Sequence, residues 1–161
     1  MLNPEDHFAV SAQLNREPRG AISVGHRCGC GAPDVVKTTP RLDDGTPFPT
    51  MFYLTCPRAA AYIGTLEAEG VMKQLQDELE TDPELAKQYA KAHELYLAER
   101  EAIEYVEEIA GITAGGMPTR VKCLHVLAAH ALAAGPGVNP LGDKVLEMLK
   151  DWANPGPCWK D

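Results

Sequence analysis

The sequence predicts an α+β fold, a small antiparallel β-meander packed with five or six helices, and three observations predict it. Residues 20–55 hold three short β-favouring runs separated by turn residues. Residues 57–152 carry apolar side chains at helical spacing. Asn3-Pro4, Asp82-Pro83 and Asn139-Pro140 each pair a capping side chain with a proline suited to the first helical position.

The elements follow in chain order. Asn3-Pro4-Glu5-Asp6 starts a short helix that carries Phe8, Val10, Ala12 and Leu14 and ends near Arg16. Ala21–Val24 and Asp34–Lys37 read as strands joined by a turn that contains Cys28 and Cys30. Asp43-Asp44-Gly45-Thr46 is a hairpin turn, and Met51–Leu54 is the third strand. Tyr62, Ile63 and Leu66, then Val71, Met72, Leu75 and Leu79, have helical spacing interrupted at Gly70. Leu85, Tyr89, Ala92, Tyr96, Ile103 and Val106 form one stripe of a long helix expected to reach about Glu108. Pro118 is expected to open an apolar helix that Gly135-Pro136-Gly137 closes, and Asn139-Pro140 caps a last helix through Trp152. The reading is a single domain over 1–152 with an irregular tail at 153–161.

Charge narrows the function classes. The chain has 161 residues and a net charge of −8. Residues 59–111 hold four basic and thirteen acidic side chains, so the excess lies in the middle third. A solvated helix pair explains this, and an acidic docking face is the alternative. No basic stripe is available for nucleic acid or an anionic membrane. No apolar run approaches the ~20 residues that cross a bilayer. The start lacks the basic and apolar regions of a signal peptide, so the expected location is the cytoplasm.

Several phrases resemble a known family. They are Arg27-Cys28 with Gly31-Ala32-Pro33, Pro40-Arg41-Leu42-Asp43-Asp44-Gly45-Thr46-Pro47-Phe48-Pro49-Thr50 and Leu54-Thr55-Cys56-Pro57. Gly115-Gly116-Met117-Pro118, Arg120-Val121-Lys122-Cys123-Leu124-His125 and Gly135-Pro136-Gly137-Val138-Asn139-Pro140 complete the set. The chain resembles the DUF501 family of uncharacterised actinobacterial proteins over roughly residues 15–150. The resemblance implies no reaction. Members are commonly encoded beside a septum-formation initiator, which implies a role, and a protein partner, near cell division or envelope growth.

Five cysteines, an odd number, without an export signal argue against a disulfide framework. Cys28-Gly29-Cys30-Gly31 lets two thiolates converge on one ion. With Cys56 and Cys123 it can offer four sulfurs to tetrahedral zinc, or alternatively to an iron–sulfur cluster. The bland alternative is that Cys56 and Cys123 are small buried hydrophobes. His125 is the reserve ligand. Inside a regular helix, however, it stands ~200° from Cys123 at ~100° per residue, so Cys123 must lie in a looser first turn. His130 lies ~10 Å along the helix from Cys123 and reads as a core histidine. His26 replaces Cys30 if the latter is not a ligand. Cys158, in the tail, is expected to take no part.

His93-Glu94 lacks the second histidine of a zincin, and Gly29-x-Gly31 is not followed by the glycine and helix of a dinucleotide site. Arg120 and Lys122, with amides near Gly115–Met117, suggest an anion pocket at a helix N-terminus; a solvated first turn is the alternative. Two functional readings result. One is a metal-stabilised binding module. The other is an enzyme, with Cys28 or Cys123 as nucleophile and His125 or His130 as base, or with an open metal site, acting on an anionic small molecule.

Overall fold

A computed structural model describes residues 1–149. Helix α1 (Pro4–Leu14) precedes strands β1 (Ala21–Arg27), β2 (Pro33–Thr38) and β3 (Phe52–Leu54). Helices α2 (Pro57–Ala68), α3 (Val71–Thr81), α4 (Pro83–Ile103), α5 (Leu124–Ala134) and α6 (Pro140–Met148) follow, with one 3₁₀ turn at Glu107–Ile109. The architecture is α+β and mainly helical, as the sequence predicts.

The strands form one antiparallel sheet in the order β1-β2-β3, with Val24 opposite Val36 and Val36 opposite Tyr53. The middle strand is buried on both faces, from Pro33 through Val36. On one side α1 holds it: Gln13 Nε2 donates to the Pro33 carbonyl at 2.6 Å. Arg27, at the end of β1, forks onto Asp6 of α1 with bonds of 2.8 and 2.7 Å. Such bidentate pairing fixes orientation as well as position, and the guanidinium holds the Asp6 carboxyl below its usual range.

The main core gathers around α5. Leu124, Leu127, Ala128 and Ala129 are fully buried there, among Met51, Phe52, Ile63, Leu75, Tyr89, Tyr96, Leu141 and Val145. Tyr96 ties α4 to the sheet, its hydroxyl accepting the Met51 amide at 2.6 Å. Helix α6 crosses α5 at Gly142, where an added Cβ would strike the Leu127 carbonyl and lie 2.8 Å from the Ala131 Cβ. Backbone cannot yield as a side chain can. Gly142→Ala is expected to destabilise by about 1–3 kcal/mol through overpacking, read as a lowered urea midpoint with unchanged slope.

The predicted caps are realised. Asn3 accepts the Asp6 amide, Asp82 those of Glu84 and Leu85, and Asn139 that of Gly142. Two helix limits differ from expectation. Helix α4 stops at Ile103 rather than near Glu108, because Arg100 turns inward and the following chain folds back over it. Arg100 is 2% exposed, and its guanidinium donates to the carbonyls of Pro49, Ile109 and Ile112 at 2.9, 2.8 and 2.6 Å. Helix α5 starts at Leu124, not Pro118, since the amides of Arg120 and Lys122 turn back to the carbonyls of Gly116 and Gly115. The expectation that the last helix reaches Trp152, and the tail at 153–161, lie outside the described residues.

Candidate functional site

The predicted ligands fall into two groups rather than one. The first begins at the end of β1. After Arg27 the chain closes a tight turn in which the Gly31 amide donates to the Cys28 carbonyl at 2.9 Å. Gly31 has φ +91°, a conformation that glycine adopts without the strain a side chain would bring. The turn sets the sulfurs of Cys28 and Cys30 3.2 Å apart, and the Cys30 amide donates to Cys28 Sγ at 3.3 Å.

Cys56 completes this group from across the sheet. It is fully buried and packs with Cys28, Ala59, Cys30 and Leu54 in a small cluster separate from the main core. It is also the N-cap of α2, accepting the Ala59 amide on its sulfur at 3.5 Å, with Pro57 at the first helical position. Backbone N–H groups directed at sulfur, and the positive end of a helix, favour a thiolate. Three cysteines from two chain segments therefore pack into one small cluster. Tetrahedral zinc, with bonds of ~2.3 Å, sets sulfurs about 3.7 Å apart, so Cys28 and Cys30 need separate by only about half an ångström to hold it.

Cys123 belongs to the second group. As the N-cap of α5 it has extended backbone, φ −153° and ψ 112°. The ~200° separation expected within a regular helix therefore does not apply. Cys123 Sγ lies 4.0 Å from His125 Nδ1. The same Nδ1 lies 2.6 Å from Glu67 Oε1 of α2, and Nε2 lies 3.1 Å from the Ala60 carbonyl. Ligand atoms of Glu67, Cys123 and His125 all fall within 4.8 Å of one another. A cavity of about 410 Å³ lined by Tyr53, Thr55, Pro57 and Ala60 adjoins Cys123 and His125. Cys56 caps the start of α2 and Glu67 sits in its last turn, roughly 16 Å further along the axis at ~1.5 Å per residue.

Both neighbours favour charged His125, while the Glu67 charge opposes the Cys123 thiolate. His125 is pushed up to about 9, first by its hydrogen bond to Cys123, against the effect of burial and with help from the Ala60 carbonyl and the Glu67 charge. Burial raises the Cys123 thiol, but the hydrogen bonds from His125 and the Val126 amide outweigh it and hold the thiol below its usual value.

The remaining candidates are occupied elsewhere. His26 Nδ1 is bound by both oxygens of the buried Asp34, at 2.8 and 3.0 Å, which raises its pKa. Arg120 and Lys122 are exposed and precede α5, so the helix N-terminus proposed for their anion pocket lies further on. The loop is committed internally. Tyr89 donates to the Arg120 carbonyl, and the Val121 amide to Gln76.

His130 is a core histidine, 1% exposed, stacked on Phe52 and edge-on to Tyr96. Asn139 donates to its Nδ1 at 3.1 Å, so Nε2 carries the hydrogen. Burial pushes its pKa down from 6.5 to about 4. Above pH 6.5 both folded and unfolded forms are neutral here. As pH falls toward 4 the unfolded chain takes up the proton first, so native stability is lost across that window. At pH 5 the loss relative to pH 7.5 should be about 2 kcal/mol from this residue. Urea unfolding at the two pH values should show that extra loss in wild type and not in His130→Gln.

Sequence reasoning missed Glu67, which it read as part of the solvated acidic face. The available signal was phase: Glu67 follows the buried Ile63 by four residues, at the edge of the inward side of α2.

No helix among the described residues is long and apolar enough to cross a membrane. No curated protein and no solved structure matches this chain. The family profile described as "Protein of unknown function (DUF501)" matches residues 24–147. By that match over most of its length, the chain belongs to the DUF501 family.

Proposed function

We propose that the protein is a metal-stabilised binding module in which zinc, held by Cys28, Cys30 and Cys56, pins the β1–β2 turn to the start of α2. The observation that carries this reading is the packing of those three cysteines in one small cluster, with the Cys28 and Cys30 sulfurs 3.2 Å apart and the sulfurs of Cys28 and Cys56 accepting backbone amides. A structural zinc joins segments that hydrophobic contact alone holds weakly, and this cluster is small and apart from the main core. An iron–sulfur cluster is the alternative occupant, and visible absorption of anaerobically purified protein separates the two. The module works in the cytoplasm on a protein partner near cell division or envelope growth, and its acidic helices are candidates for the docking face.

Metal analysis of single variants tests the ligand set. Cys28→Ser and Cys30→Ser should each lose the equivalent held by this group. Cys123→Ser should keep it, a change from the four-cysteine set expected from sequence, because Cys123 lies with His125 and Glu67. Cys158 lies outside the described residues. The same measurement on Cys158→Ser reads whether the tail supplies the fourth sulfur. Full metal retention in both Cys28→Ser and Cys30→Ser would return these residues to simple packing.

A further inference from the structure

We propose that Glu67, Cys123 and His125 form a second metal site, open rather than closed, for a divalent ion of the zinc class. Its free coordination position faces the adjoining cavity.

The wiring of His125 decides between a metal site and a nucleophilic triad. In a triad the two ring nitrogens serve different partners, one the nucleophile and the other the orienting carboxylate. Here Nε2 is 3.1 Å from the Ala60 carbonyl, which only accepts, so Nε2 carries a hydrogen and is spent on that bond. Nδ1 alone faces both Cys123 and Glu67. A nitrogen bound to the carboxylate cannot at the same time take a proton from the thiol. This arrangement is poor for general-base catalysis. It is the arrangement of a metal-binding histidine, whose second N–H is anchored by a carbonyl while the first coordinates.

Charge and donor chemistry agree with the geometry. Thiolate, imidazole and carboxylate are all ligands of zinc, and one thiolate with one carboxylate supplies two negative charges against a dication. In the neutral tautomer the Nδ1 lone pair and Glu67 Oε1, only 2.6 Å apart, are two acceptors that require a cation between them. A proton meets that need when no metal is bound, and a metal ion replaces it with a small widening. Both Cys123 and His125 line the cavity of about 410 Å³, which leaves room for a water or a small ligand on the ion. Three protein ligands with an open fourth position is the pattern of zinc sites that bind water or substrate, whereas structural sites are saturated. The site does not depend on the zinc proposed for Cys28, Cys30 and Cys56.

The experiment is metal counting on full-length protein saturated with Co²⁺ under anaerobic conditions and then dialysed. Wild type should hold two equivalents. Glu67→Gln and His125→Gln should each hold one, and the lost equivalent should carry the spectrum of a one-thiolate site. Cys56→Ser should lose the other equivalent, with stronger sulfur-to-cobalt absorption, so failure of one site is distinguishable from failure of the other. A second measurement needs no variant: zinc should slow alkylation of Cys123 by iodoacetamide in wild type, followed by peptide mass spectrometry. Unchanged cobalt content in both Glu67→Gln and His125→Gln would overturn the proposal. So would rapid alkylation of Cys123 that zinc does not slow, which would instead favour a free nucleophilic thiol.

Discussion

Cys56→Ser should abolish metal binding at the cysteine cluster and lower stability by several kcal/mol. Cys56 does three jobs at once. It caps α2, fills a fully buried position, and offers one of three sulfurs to the proposed ion. Serine can replace the cap, since its oxygen accepts an amide well. Serine cannot replace a soft thiolate toward zinc, and its hydroxyl sits poorly among sulfurs and Leu54. Loss of the cap is therefore a minor part of the effect. Metal binding contributes folding free energy, ~10–16 kcal/mol in isolated zinc-finger peptides, and a domain with its own core should depend on it for a fraction of that. Chelator added to wild type should reproduce the variant's melting temperature. A variant as stable as wild type, with chelator inert on both, would leave the cysteines as packing residues.

Arg100→Met should cost about 3–5 kcal/mol, a large share of the stability of an ordinary domain. The guanidinium lies near the end of α4 and satisfies three carbonyls, one from the loop before β3, one from the 3₁₀ turn and one from the segment after it. Methionine fills much of the volume and leaves those three acceptors without their donor. Arg100→Lys should recover little, because a single ammonium lacks the planar fork that reaches carbonyls from two segments. Denaturant titration of the three proteins gives the comparison. A loss below about 1 kcal/mol in Arg100→Met would mean that water replaces the guanidinium without difficulty.

Local signals in the sequence were reliable where a side chain acts on its own backbone. Asn3, Asp82 and Asn139 cap the helices they were expected to cap. The hairpin at Asp43–Thr46 closes with Leu42 and Thr46 bonded. The alternating and helical periods separated the sheet from the helical part. Errors arose where a distant partner decides. The apolar run after Pro118 looks helical from its composition, but hydrogen bonds to Gly115, Gly116, Gln76 and Tyr89 hold residues 119–122 in a loop. That shift of the helix start makes Cys123 a cap and brings its sulfur to His125.

The candidate site was half legible for the same reason. Cys28 and Cys30 are close by sequence, and Cys56 shows itself by standing before a helix-opening proline. Cys123 and His125 were recognised as a pair, yet spacing along the chain says nothing about which cluster they join. Glu67, fifty-eight positions from His125, is paired with it only by the packing of α2 against α5.

The most direct test of the metal-stabilised module is X-ray absorption at the zinc edge on Cys123→Ser protein. This variant disrupts the second site and leaves Cys28, Cys30 and Cys56 intact. The account predicts one retained equivalent of zinc with at least three sulfur neighbours at ~2.3 Å. Protein that folds normally and retains no zinc after anaerobic supplementation, or a shell of oxygen and nitrogen alone at ~2.0–2.1 Å, would contradict it.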